Sequence, residues 1–164
     1  MEDSLIMIFS LIIAVLLMFM FPMMDTWERQ DDISYMAVYS SVVEFVDSAR
    51  NLGYITPNMY TKFIQNINAT GNRYDIAIEH RKRIYEINGY KNVYTNKIEN
   101  VLYNSGEAYK LTAGDYLYVS VKTTNKTQST LLKEVVYAAE QETFKIGVPY
   151  GGMIRNTAPS GDII

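Results

Sequence analysis

Ser4-Leu-Ile-Met-Ile-Phe-Ser-Leu-Ile-Ile-Ala-Val-Leu-Leu-Met-Phe-Met-Phe-Pro-Met-Met24 is the stretch whose reading decides the fold. It carries no charged residue, and Leu, Ile, Met, Phe and Val dominate it. As an α-helix it would be about 31 Å long, matching a bilayer hydrocarbon core of about 30 Å. It is apolar all round, so it offers no polar face to a soluble core. A secretory signal needs a basic first segment, a run of about 7–15 apolar residues and a small-residue cleavage site. Here Met1-Glu2-Asp3 is acidic, the apolar run is longer, and no Ala-x-Ala follows. The stretch therefore predicts a retained transmembrane helix over residues 1–24.

Outward from Met24 the composition changes abruptly. The chain has 18 acidic and 15 basic residues, and only Glu2 and Asp3 precede the apolar stretch. The remainder is close to neutral and has no basic tail or stripe, so the electrostatic footprint of a nucleic-acid binder is missing. The absence of cysteine excludes disulfides, thiolate catalysis and zinc–thiolate sites. Lys and Arg hardly bias the orientation, since Arg29 alone lies close to the stretch. A short first segment before a large polar domain predicts a cytoplasmic N-terminus and an extracytoplasmic domain over residues 25–164. Pro22 either bends the helix near its outer end or marks its terminus.

A second helical pattern follows almost at once. Ile33, Met36, Ala37, Val42, Val43, Phe45, Val46 and Ala49 recur at three- and four-residue spacing. Asp31 or Asp32 can cap this helix, and Gly53 stops it. If Asp25 to Gln30 stay helical, one rod runs from Ser4 to Asn51. Thr56-Pro57 opens a further helix with Tyr60, Phe63, Ile64 and Ile67 on its apolar face, and Gly71 closes that segment.

Strands come next. From Tyr74 to Ile87 the pattern alternates, with Tyr74, Ile76, Ile78, His80, Lys82 and Ile84 on one side. Thr95 to Gly106 suggests a short helix or loop. Glu107 to Asn125 reads as strand, Gly114-Asp115 punctuation, then strand, with Leu117, Val119 and Val121 alternating against Tyr116, Tyr118 and Ser120. Thr127 can cap a short helix carrying Leu131, Leu132, Val135 and Val136. Glu142 to Asn156 suggests a final strand with a bend at Gly151-Gly152, and the tail from Thr157 is expected to be irregular. The class is α+β: a transmembrane helix continuing into an amphipathic helix, packed on a small antiparallel sheet.

The chemistry-bearing residues are few. His80 is the single histidine and lies in a charged strand without a glycine-framed serine, so a surface or half-buried role is expected. One histidine without cysteine argues against zinc. The basic run His80 to Arg83 suits a solvated strand face or a charged sheet edge. Asn68 and Asn125 begin Asn-x-Thr sequons that matter only where glycosylation occurs. Neither catalytic, metal nor cofactor-binding residues are expected.

Taken together, the apolar helix, Pro22, the amphipathic continuation and the sheet resemble type IV pilin-like proteins. "NATGNRYDIAIEHRKRIYE", "AGDYLYVSV" and "VPYGGMIRN" resemble minor pilins and pseudopilins of the tight-adherence (TadE-like) class, or related proteins of Gram-positive secretion and conjugation loci. The resemblance covers about the first 50 residues, and less closely the sheet. It implies a structural subunit, not an enzyme, that waits in the cell membrane as a single-pass protein. An assembly platform then lifts it into a surface filament, where it joins other pilin-like subunits. Neither nucleic acid nor a small-molecule substrate is implied as a partner. Ser4, Leu5, Ile8, Ile12, Val15, Phe19 and Pro22 would form the membrane and assembly helix. Pilin precursors carry a short basic leader and a glutamate five residues into the helix; this chain has Leu5 there and no basic leader, leaving Glu2 and Asp3 as candidate assembly acids. The alternative is a membrane-anchored extracytoplasmic interaction or accessory domain that does not polymerise.

Overall fold

The computed structural model describes residues 2–84, 89–138 and 145–156, with side chains from residue 4 onward. Helix α1 runs unbroken from Glu2 to Leu52 with Pro22 inside it. The rod expected from Ser4 to Asn51 is therefore present, and Pro22 is not a terminus. Asp31 and Asp32 are interior residues of α1 rather than caps, because the apolar and amphipathic patterns join in one helix.

The chain forms two compact units. The first comprises Met1–Ser34 with Lys126–Phe144, and the second Tyr35–Asn125 with Lys145–Ile164. In the first unit α4 (Gln128–Tyr137) accompanies the start of α1. Thr127 caps α4, its side chain accepting from the Thr130 N–H, as its sequence position predicts.

The second unit holds the end of α1, β1 (Tyr54–Ile55), α2 (Pro57–Asn68), β2 (Tyr74–Ile84), β3 (Gly89–Tyr94), α3 (Thr95–Asn100), a π-helical turn (Val101–Ser105), β4 (Tyr109–Lys110), β5 (Tyr116–Thr123) and β6 (Gly147–Met153). The main sheet is antiparallel throughout, in the order β3-β2-β5-β6. A separate two-stranded ladder pairs β1 with β4. Strand β3 is an element that the sequence pattern did not reveal; it pairs antiparallel with β2 from Ile84 opposite Gly89 to Glu79 opposite Tyr94.

The alternation in β2 and β5 sets the sheet's inner face. Ile76 faces Val121, which faces Val148, and Ile78 faces Val119. On this layer α1 lays Val38, Val42, Phe45, Val46 and Ala49, all buried. Tyr60, Phe63 and Ile67 of α2 close the core, with the Phe45 and Phe63 rings stacked at 4.4 Å. Ile33 and Met36, expected in this stripe, are instead exposed. Helical rotation of about 100° per residue carries them roughly 140–160° away from Val38, which starts the buried seam.

Gly53 ends α1 with φ +77°. Its N–H donates to the Ala49 carbonyl at 2.9 Å and its carbonyl accepts from the Leu111 N–H at 2.8 Å. The Arg50 carbonyl accepts from the Arg155 N–H at 3.0 Å, and the Asn156 side-chain amide donates to the Leu52 carbonyl. A Cβ at Gly53 would stand 2.9 Å from Asn156 Nδ2. Gly53→Ala is therefore expected to lower stability by about 1–2 kcal/mol, the left-handed backbone penalty, measured by thermal unfolding of the detergent-solubilised protein.

Gly151 and Gly152 do not bend the last strand. They lie within β6, opposite Tyr118 and Leu117. A Cβ at Gly151 would press 2.7 Å from the Leu117 carbonyl oxygen, and one at Gly152 would overlap the Arg50 guanidinium. That guanidinium is buried. Its Nε donates to the Met153 carbonyl at 2.9 Å and its Nη1 to Asp47 at 2.7 Å, tying α1 to the edge strand. The glycines are required by close approach rather than by a turn. The expectations for residues 85–87, for Glu142–Phe144 and for the tail from Thr157 lie outside the described residues.

Candidate functional site: an apolar helix and an exposed tyrosine face

Among the described residues α1 is the one helix long and apolar enough to cross a membrane. Ser4, Leu5, Ile8, Ile12, Val15, Phe19 and Pro22 are all exposed on it, as are Leu11, Leu16 and Phe21. A surface this apolar is unfavourable in water and suits hydrocarbon or a dry protein bundle. Two hydroxyls on this part of α1 bond back to the helix: Ser10 Oγ donates to the Met7 carbonyl at 2.9 Å. Thr26 Oγ1 donates to the Pro22 carbonyl at 2.8 Å. The side chains of Glu2 and Asp3, the candidate assembly acids, lie outside the described residues.

Just past Met24 the helix turns polar. Arg29 pairs with Asp25 at 3.1 Å, and between them sits Trp27, the sole tryptophan, half-buried. Sequence reasoning missed Trp27, although an indole beside the end of an apolar span is itself the signal of a membrane interface. One turn further, Asp31 is buried and accepts from Ser129 Oγ of α4. Ser129 Oγ also lies 3.1 Å from Thr127 Oγ1, and Lys133 Nζ pairs with Glu28 at 2.7 Å. These two contacts clasp α4 onto α1. On α4, Leu132 and Val136 are half-buried. Leu131 and Val135 are exposed, while Ser129 and Thr130 are buried, because α4 is held by its polar side.

In the second unit, the sequence expectation of a surface or half-buried His80 is corrected: the ring is buried, at 2% exposure. Nε2 lies 2.9 Å from Asp115 Oδ2, and Nδ1 lies 2.8 Å from the Tyr109 hydroxyl. A carboxylate oxygen accepts, so His80 Nε2–H donates to Asp115. Asp115 also accepts from the backbone N–H groups of Thr112 at 3.0 Å and Arg83 at 2.9 Å. Every partner in this constellation is spent on holding β2, the Thr112 turn and β4 together. It has the form of a strut, in which the one hydroxyl on the imidazole is the Tyr109 phenol of β4. The described residues contain no group of three or more His, Asp or Glu that could hold a metal ion.

The neighbouring charges leave a pH signature. Burial, and then the charge of Asp115, push the Tyr109 phenol up from 10.0 to about 12. Burial, and then the hydrogen bond to Glu99, raise that of Tyr60 as well. A phenol whose folded pKa lies above its unfolded value stabilises the fold fully below the unfolded value. That contribution is lost as pH rises through the folded one. Stability is therefore expected to fall from pH 10 towards about 12. Chemical unfolding followed across that window should show the slope, and Tyr109→Phe should make it shallower.

The outer face of the main sheet is a second distinctive surface. Arg81 stands opposite Tyr116, Glu79 opposite both Tyr118 and Tyr94, and Arg83 opposite Tyr90. Tyr90 and Tyr94 are exposed and Tyr116 and Tyr118 half-exposed. Arg81, Tyr90, Tyr116 and Tyr118 line a shallow depression of about 350 Å³. Arg81 is also paired with Glu79 at 3.2 Å, and that hydrogen bond raises its pKa. Of the basic run, Arg81, Lys82 and Arg83 are solvated while His80 is buried, and β2 lies between β3 and β5. Comparisons with protein-family models, with curated proteins and with solved structures return no match for this chain.

Proposed function

We propose that this chain is a pilin-like structural subunit of a type IV, tight-adherence or conjugation/secretion filament, held in the cell membrane by its first helix until assembly. The observation that supports this reading most is α1 itself. Its exposed apolar half continues without a break into a half that packs on an antiparallel sheet. In such a subunit the apolar half exchanges lipid for the helices of neighbouring subunits. Both surroundings are dry, and the helix satisfies its backbone internally in each. The domain then decorates the filament surface outside the cell. An acid entering the bundle needs a partner, and Glu2 or Asp3 would pair there with a neighbour's amino terminus.

The test compares the protein's N-terminus by mass spectrometry in membranes and in mechanically sheared surface material. An intact apolar helix in sheared filaments is the expected outcome. Recovery from membranes alone overturns polymerisation, and a start beyond Met24 overturns the anchor too. Normal assembly of the Glu2→Ala/Asp3→Ala double variant would remove the pairing role.

A second reading, an anchored interaction domain that never polymerises, draws support from the exposed tyrosine and arginine face around Tyr90 and Arg81. Tyrosine and arginine are the side chains enriched where proteins bind one another. Neither reading assigns a catalytic residue.

A further inference from the structure

The clasp between α4 and α1 fixes a height as well as a contact. Ser129 meets Asp31, whereas Lys133, four residues further along α4, meets Glu28, three residues earlier in α1. The order is reversed, so α4 runs down α1 towards the apolar stretch. Four residues of helix rise about 6 Å and three about 4.5 Å, so the two axes descend nearly in step. One more turn brings Tyr137 to the level of Asp25, the first residue after Met24.

That level is the headgroup layer of a bilayer spanned by Ser4 to Met24. The layer is about 5–7 Å thick on each side, which covers Asp25 to Glu28 along the helix. In the last turn of α4 two apolar side chains are uncovered there, Val135 at 73% exposure and Tyr137 at 59%, while Val136 between them is half-buried. Trp27 of α1, half-buried, stands at the same height. Tyrosine and tryptophan are the residues favoured in this layer, where an apolar ring and a wet polar tip are both accommodated. Ala138 then ends the helix in the left-handed conformation, at φ 49°.

We propose that the last turn of α4 is a membrane foot, inserting Val135 and Tyr137 among the headgroups of the bilayer that holds α1. The occupant of this apolar surface is lipid, because a soluble partner would have to reach it through the headgroup layer. The foot gives the first unit a second point of contact with the membrane beside α1 and restrains its rotation about the helix. The inference rests on the reading of α1 as a membrane helix.

Because the chain has no cysteine, single nitroxide labels can be placed at will. The full chain is reconstituted into phosphatidylcholine nanodiscs after Val15→Cys, Leu131→Cys, Val135→Cys or Asp32→Cys. Collision rates with oxygen, which concentrates in lipid, and with a polar nickel chelate, which stays in water, are then compared. Val15 is expected to report hydrocarbon and Asp32 water. Val135 should show an oxygen-to-nickel ratio several-fold above that of Asp32, with Leu131, a turn higher, between them. If Val15 reports hydrocarbon while Val135 matches Asp32, the foot is overturned and the anchor stands. Shielding of Val135 from both reagents also overturns it, because protein then covers the surface. A Val15 label in water overturns the anchor and the foot together.

Discussion

Asp115→Ala is expected to lower the thermal midpoint of the second unit's unfolding by about 10–15 °C, corresponding to a loss of about 3–5 kcal/mol. The carboxylate is 2% exposed and serves three donors: His80 Nε2 and the backbone N–H groups of Thr112 and Arg83. Removing it leaves these donors without that acceptor in a space too enclosed for easy hydration, and a buried donor left unmade costs about 1–3 kcal/mol. Asp115→Asn preserves shape but exchanges one accepting oxygen for an amine, so it should lie between wild type and alanine. The measurement is calorimetry or circular dichroism of the solubilised full chain. A midpoint unchanged by Asp115→Ala would mean that the strut carries no load. The same variants should leave membrane retention intact, since the apolar stretch proposed as the anchor is a different part of the chain.

Ile12→Arg/Leu16→Arg should detach the protein from the membrane. Each arginine near the centre of a spanning helix costs about 2.5–3.5 kcal/mol on the insertion scale, and each Leu, Ile, Phe or Val contributes about −0.3 to −0.6. The apolar residues of the stretch therefore sum to roughly −4 to −7 kcal/mol, and two arginines bring that sum close to zero. The expected result is a shift from the alkali-resistant membrane pellet to the soluble or aggregated fraction. Ile12→Leu/Leu16→Ile, which keeps the apolar surface, should leave the distribution unchanged. Retention of the double-arginine variant in the pellet would show that something besides Ser4 to Met24 holds the protein there. The two experiments are complementary: one strikes the folded core and spares the anchor, and the other does the reverse.

The elements legible in advance were those whose causes lie within a few residues of one another. The apolar span, the Thr56-Pro57 opening of α2, the Thr127 cap and the Gly53 stop each depend on hydrogen bonds or sterics inside a single turn. The alternation of Leu117, Val119 and Val121 is equally local, because a strand's pleat dictates it. These the sequence determined by itself, along with the α+β class; that α1 runs unbroken through Pro22 and Asp25–Gln30 only the structure decided.

What tertiary structure decided were the partners. Nothing near Asp31 announces Ser129, nearly a hundred residues away, so a buried acceptor looked like a helix cap. His80 sits in a run of charges that reads as solvent-facing. Its burial follows from being paired in register with Leu117 and from Asp115 and Tyr109 closing over it. The two glycines of β6 looked like a bend until Arg50 and the Leu117 carbonyl occupied the space their side chains would need. In each case a short-range pattern admits two outcomes of similar local energy, and the choice between them is made by a side chain distant in sequence that only folding brings within reach.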